Sequence, residues 1–226
     1  MSLETELRLI GQSALFVVHT DEPDFRRALG KLGFTEDNQA FVRAFPAGAP
    51  GLHECYFRFK RTLEDMLAQA AGRLITPWED ALDAAATRLR SNHADWFLAG
   101  GGALAVRGIE VVPRVLDLVV ADEATATAAL GDAQIEPTSE NRPGTWISRW
   151  FGRAFLNARI EWISDVDPAI DVYAAPNDHG PAAAARLEHV RWHDHDLALA
   201  PLELQLAVAE KRGLTERAAA IRDFRG

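Results

Sequence analysis

Trp96-Phe-Leu-Ala-Gly-Gly-Gly-Ala-Leu-Ala-Val-Arg-Gly108, followed by Pro113-Arg-Val-Leu-Asp-Leu-Val-Val120, is the stretch on which the fold turns. Asp95 to Ala99 reads as a buried strand, Gly100, Gly101 and Gly102 as a tight turn, and Ala103 to Arg107 as the start of a helix. A strand that ends in glycines and feeds a helix lets backbone N–H groups come close to a phosphate. Glycines at such a corner are also found as a plain turn, and taken alone they do not separate the two. The second strand, Val115 to Ala121, adds more, because Asp117 sits inside a run that is otherwise apolar. A carboxylate there is costly to bury without a metal or a hydrogen-bond donor. Strand alternation sends positions 115, 117 and 119 to one face and Leu116, Leu118 and Val120 to the other.

Working outward, Glu123 to Leu130 reads as a short helix, and Thr145 to Phe151 and Ala158 to Ile163 as two further strands. The C-terminal end is helical, Pro201 to Lys211 and Thr215 to Phe224, with Gly213 between them. Upstream, Ala14 to His19 is a strand, Asp24 to Leu32 a helix stopped by Gly33, and Ala40 to Phe45 a strand closed by the loop Pro46 to Gly51. Apolar residues recur at helical spacing from Glu54 to Ala71, and Thr76 with Pro77 starts another helix. The expected division is residues 1–75, a small N-terminal α/β unit with a bridging helix, and residues 76–226, a larger domain with a C-terminal helical pair. The expected class is α/β (α+β): a mixed, twisted sheet with flanking helices and with Asp117 at one edge.

A chain of 226 residues with 48% hydrophobic and 25% charged residues has the composition of a globular protein with a real core. Its net charge of −9 disfavours broad electrostatic binding to nucleic acid, which needs a basic surface. Cys55 is the one cysteine, so no intrachain disulfide forms, and the expected reading is a small buried side chain. No apolar stretch approaches the roughly 20 residues that span a bilayer, and the start of the chain does not read as a signal peptide. A cytoplasmic location is the expectation.

In its central part the chain resembles the polymerase-beta-like nucleotidyltransferase superfamily. Ala99-Gly100-Gly101 matches that family's hydrophobic-Gly-Gly/Ser element, thirteen residues follow, and Val115-Leu116-Asp117 stands where two acidic residues flank a hydrophobic one. Ile160-Glu161-Trp162 matches the later strand with a third acidic residue. The run from Gly102 to Gly108 and the Pro113-Arg114 lead-in look like the bacterial small-substrate and antitoxin-like branch. The resemblance covers roughly residues 95 to 224. It implies transfer of a nucleoside monophosphate from a nucleoside triphosphate to a small-molecule or protein acceptor with Mg2+. It also implies Asp117 and Glu161 as catalytic residues and metal ligands, and nucleotide contacts from Gly100, Gly101, Gly102, Arg114 and Lys211. A homodimer is compatible with the sequence, which does not itself fix an oligomeric state.

Val115 departs from the pattern at the first acidic position, because valine neither coordinates a metal nor accepts a proton. Two readings follow from different classes: an active transferase, and a degenerate member that binds a nucleotide or a protein without catalysis. For Glu161 the alternative to metal binding is pairing with Arg159 or with an arginine elsewhere. For Lys211 and Arg212 it is a solvated last helical turn that complements the helix dipole. His193-Asp194-His195-Asp196 offers metal-competent side chains, and with them a weaker hydrolase reading, although a polar turn or edge strand accounts for it better. The tryptophans, including Trp96, Trp146, Trp150 and Trp162, read as core fillers.

Overall fold

The computed structural model describes residues 3–141, 147–173 and 176–225. Two sheets organise them. The first is antiparallel and built from β1 (Leu3–Ile10), β2 (Ser13–Thr20), β3 (Thr35–Asp37) and β4 (Ala40–Pro46) in the order β1-β2-β4-β3. Two helices cover it, α1 (Pro23–Lys31) and α2 (Leu52–Ala71). Alternation on β2 turns Ala14, Phe16 and Val18 inward, and α2 answers with Leu52, Cys55, Tyr56, Phe59, Leu63, Met66 and Leu67. These recur three and four residues apart, so they share one face of the helix. Phe16 anchors the core, its ring within 4.7 Å of Phe45 and 5.2 Å of both Tyr56 and Phe59. Burying one such ring contributes roughly 1.5–3 kcal/mol. Cys55 is buried there, and burial pushes its thiol up to about 11, an inert core residue.

The second sheet is mixed and holds seven strands in the order β10-β11-β5-β6-β9-β8-β7. They are β5 (Trp96–Ala99), β6 (Leu116–Val120), β7 (Ser139–Glu140), β8 (Ser148–Leu156), β9 (Ala158–Val166), β10 (Glu188–Trp192) and β11 (His195–Leu199). Helices α3 (Trp78–Ser91), α4 (Gly100–Val106) and α5 (Glu123–Leu130) follow in chain order, then the short α6 (Ile170–Tyr173) and α7 (Pro181–Ala184). The chain then runs into α8 (Leu202–Lys211) and α9 (Thr215–Arg225). The class is therefore α+β, a mixed sheet flanked by helices with a helical pair at its C-terminal end, as expected. One face of the sheet packs Leu98, Leu116, Leu118, Val120, Ile160 and Trp162 against α3 and α5. The opposite face carries Phe97, Ala99, Val119 and Ile163. That split is the alternation expected for β6, and it leaves Asp117 on the second face.

Several details differ from the expectation. The first sheet has a strand, β1, that the sequence reading passed over, and it pairs in full register with β2. Asp117 lies on β6, the middle strand of its sheet rather than an edge. The strand placed at Thr145 to Phe151 begins at Ser148; Thr145 and Trp146 lie outside the described residues. Trp162 is fully buried, and Trp96 and Trp150 pack beside it in the same core. Among the described residues, no helix is long and apolar enough to cross a membrane.

Candidate functional site

Three adjacent strands build a row of residues at their common end. Ala99 on β5 is in register with Asp117 on β6, and Asp117 with Glu161 on β9. The two carboxylate residues thus sit side by side on parallel strands and share one face, since partners in register point the same way. The chain leaves β5 through Gly100, whose φ of +57° lies in the left-handed region. A Cβ on Gly100 would stand 2.2 Å from Oδ2 of Asp117, so only glycine lets the backbone lie against this carboxylate. Gly101 meets nothing closer than Arg217 at 3.7 Å and Pro113 at 3.8 Å, ordinary contact. Gly102 is wedged against Leu98 and Leu116, a packing role.

Asp117 is half-buried, and its carboxyl is pushed up to about 6. Burial is the main cause; the negative charges of Glu161 and Asp178 add to it, while His179 and Arg159 oppose it. Asp178 is buried and lies against the glycine corner. Its Oδ2 accepts from the Gly100 N–H at 3.3 Å and from Gln205 Nε2 at 3.4 Å, and its Oδ1 is 2.9 Å from His179 Nδ1. Gln205 Nε2 also donates to the Gly100 carbonyl at 2.8 Å. Burial works against charge on both partners. The bonds and opposite charges they share outweigh it, so Asp178 is held below its ordinary value and His179 above. The Gly100 amide, one of those expected to meet a phosphate, is thus engaged by a carboxylate of the chain itself.

Glu161 belongs to a network of arginines. Its Oε1 accepts from Arg153 Nε at 2.8 Å, with Arg153 Nη2 also at 2.8 Å, and Arg159 Nε stands 3.5 Å away. Arg153 continues to Glu136 at 2.8 Å and to the Leu32 carbonyl at 3.1 Å. Arg43, on β4 of the first sheet, reaches Glu136 at 2.9 Å and the same carbonyl at 2.7 Å. Burial disfavours the charge of Arg153, but Glu136 and Glu161 together outweigh it and hold its pKa above the ordinary value. Both partners expected for Glu161 at the sequence level, Arg159 and an arginine from elsewhere, are present.

A two-ion centre of the kind the resemblance implies needs several carboxylate oxygens free to ligate. Here position 115 is valine, one oxygen of Glu161 is shared by two guanidinium groups, and Asp178 is spent on His179 and a backbone amide. Among the described residues, no group of three or more His, Cys, Asp or Glu side chains is placed to hold a metal ion. The donor set does not fit two Mg2+ ions.

The remaining candidates fall in different places. Arg114 is exposed and lines a small cavity with Arg159 and Lys31, whose lining includes none of the three glycines. Lys211 is exposed in the last turn of α8. Arg217 lies beside Gly101, and the charge of Arg212 acts on His179. His193 and His195 do not act together. His193 sits in the turn between β10 and β11 at φ +48°, and His195 is buried with its Nε2 2.8 Å from Asp83.

Asp178, His179 and Arg153 are site residues that sequence reasoning passed over. The segment Pro176-Asn177-Asp178-His179-Gly180 reads as turn chemistry, and only the folded chain brings it to Gly100. Arg153 did carry a signal, an arginine inside a strand whose partner Glu161 is likewise charged in an apolar setting.

No family model matches this chain, and no curated protein does. Among solved structures it is similar to a crystal structure from Thermotoga maritima described, provisionally, as a nucleotidyltransferase. The two share 19% identity over 67% of this chain and 94% of the other, with a TM-score of 0.47. A likeness of that size assigns neither activity nor site to this protein.

Proposed function

We propose that this protein is a nucleotidyltransferase-like module that binds a nucleoside triphosphate at the Gly100–Asp117 corner without transferring its nucleotidyl group. The observation that carries this reading is the pairing of Glu161 with Arg153 and Arg159 beside the apolar Val115. The frame of a metal-binding carboxylate set is kept, while its first member is absent and its third is neutralised. Arg153 and Arg159 set fixed positive charge against Glu161, and a fixed cation needs no metal to attract an anion. One Mg2+ arriving with the triphosphate would find Asp117 as its protein ligand and complete its shell with waters.

The test is a thermal-shift titration with each nucleoside triphosphate, with Mg2+ and with a chelator, alongside radiolabel transfer assays. Stabilisation by a nucleotide that persists in chelator, with no label transferred, is the expected result. Val115→Asp should tighten Mg2+-dependent binding. Label transfer by the purified wild-type chain would sink the non-catalytic reading, and no binding at all would remove both readings.

Active transfer is the second reading. One observation favours it: Asp117 is retained and its carboxyl, pushed up to about 6, is tuned toward the range in which a general base works.

A further inference from the structure

Where the two sheets meet, a half-enclosed cavity of about 70 Å3 is walled by Leu32 and Met66 and ringed by Lys31, Arg114, Arg159 and Gln69. Three of these side chains are cations, and no carboxylate lines the space among the described residues. Lys31 ends α1 and Gln69 comes from α2, the two helices over the first sheet, while Arg114 leads into β6 and Arg159 is on β9 of the second.

The local charge is out of balance. Arg43, Arg153 and Arg159 share Glu136 and Glu161 between them. Lys31 and Arg114 add two more cations, and neither makes an ion pair or side-chain hydrogen bond among the described residues. Arg159 is the least satisfied. Its Nε is buried and has no hydrogen-bond partner, because Glu161 at 3.5 Å is in ion-pair range but out of line for a bond. Burial and the charge of Arg153 hold its pKa below the ordinary value. In a chain of net charge −9, three cations gathered around one space that no carboxylate lines among the described residues amount to an anion site.

Size narrows the ligand. A cavity needs only roughly 10–15 Å3 to take a water, so this one has room for a few waters or one tetrahedral oxyanion. Guanidinium and ammonium groups arranged around such a space are the usual recognition chemistry for a phosphoryl group. We propose that the Lys31–Arg114–Arg159 cavity is a phosphoryl-binding site, distinct from the Gly100 corner and assembled jointly by the second sheet and the helices over the first. Its occupant is either free inorganic phosphate or the phosphoryl end of a larger ligand. The inference stands whether or not a nucleotide binds at the corner.

Calorimetric titration of the full chain with inorganic phosphate, and separately with a nucleoside triphosphate, tests it. Three variants accompany the wild type: Lys31→Ala with Arg114→Ala, Arg159→Met, and Asp117→Asn. The double variant alters exposed side chains and preserves the fold even if Arg159→Met does not. Saturable phosphate binding is expected, weakened roughly tenfold or more in the double variant and falling steeply with salt. Asp117→Asn should leave it intact or tighten it, since one negative charge near Arg159 is removed. Triphosphate binding that weakens in the double variant while free phosphate binds poorly identifies the phosphoryl end of a larger ligand, and the site stands. Absence of binding by either probe, or affinities that the double variant leaves unchanged, overturns it. Loss of triphosphate binding in Asp117→Asn alone bears on the corner and not on this cavity.

Discussion

Asp117 is a residue the fold would be more stable without. Its carboxyl rises from the ordinary 3.8 to about 6, mainly because burial strips water from the charged form. The folded state therefore holds the proton more tightly than the unfolded chain. That preference stabilises fully below about pH 4 and is lost as pH rises through about 6, leaving a penalty of roughly 3 kcal/mol at neutral pH. Asp117→Asn should thus be more stable than wild type at pH 7–8, with the gap closing toward pH 4. Denaturant unfolding across that range measures it, and equal stabilities at pH 8 would show that Asp117 does not bear this cost. Gly100 is tied to the same carboxylate. Gly100→Ala adds left-handed strain of about 1 kcal/mol and a methyl group 2.2 Å from Oδ2, so a loss of roughly 2–3 kcal/mol in melting experiments is expected. Gly101→Ala meets only ordinary contacts and should melt near wild type.

At the scale of elements, the arginine network explains how α1, β4, β8 and β9 are held in one arrangement. The Leu32 carbonyl at the end of α1 receives both Arg43 and Arg153, and Glu136 bridges the same two arginines between the sheets. Glu136 is buried, so removing it leaves two guanidinium groups without their shared partner. Breaking a buried pair in this way costs on the order of 3–5 kcal/mol. Glu136→Ala is expected to lose about that much and to split unfolding into two transitions as the sheets lose their shared network. A single transition with a small shift would mean that apolar contacts alone join them. Bonds from Arg58 to the Gly131 and Gln134 carbonyls, and from Gln69 to the Asn157 carbonyl, brace the same junction. Element boundaries were legible where a breaker coincided with a change of period: Gly33, Gly72 and Gly213 each follow a helix closely. β1 carries a weak signal although Leu3, Thr5, Leu7 and Leu9 alternate with Glu4, Glu6 and Arg8, because none of its residues is fully buried and its pairing with β2 around Gly11 and Gln12 is fixed only in the fold.

For the whole molecule, charge is distributed against its average. The chain is acidic overall, yet the seam between the sheets gathers Lys31, Arg43, Arg114, Arg153 and Arg159. Composition reports only the sum, and the sum hides a local cationic cavity. What the linear order determined was periodic or adjacent: the strand that runs into glycines at 96–102 (which open α4 at Gly100 and do not precede it as a separate turn), the alternation that separates Asp117 from Leu116 and Leu118, and the absence of a second carboxylate at Val115. These follow from backbone geometry that repeats every two or 3.6 residues, so they can be read along the chain. Tertiary structure decided the partners: Glu161 neutralised by Arg153, Asp178 against the Gly100 amide, and Lys31 brought to Arg159. Each of these joins groups distant in sequence, and both charge pairing and desolvation depend on separation in space, which chain order does not encode.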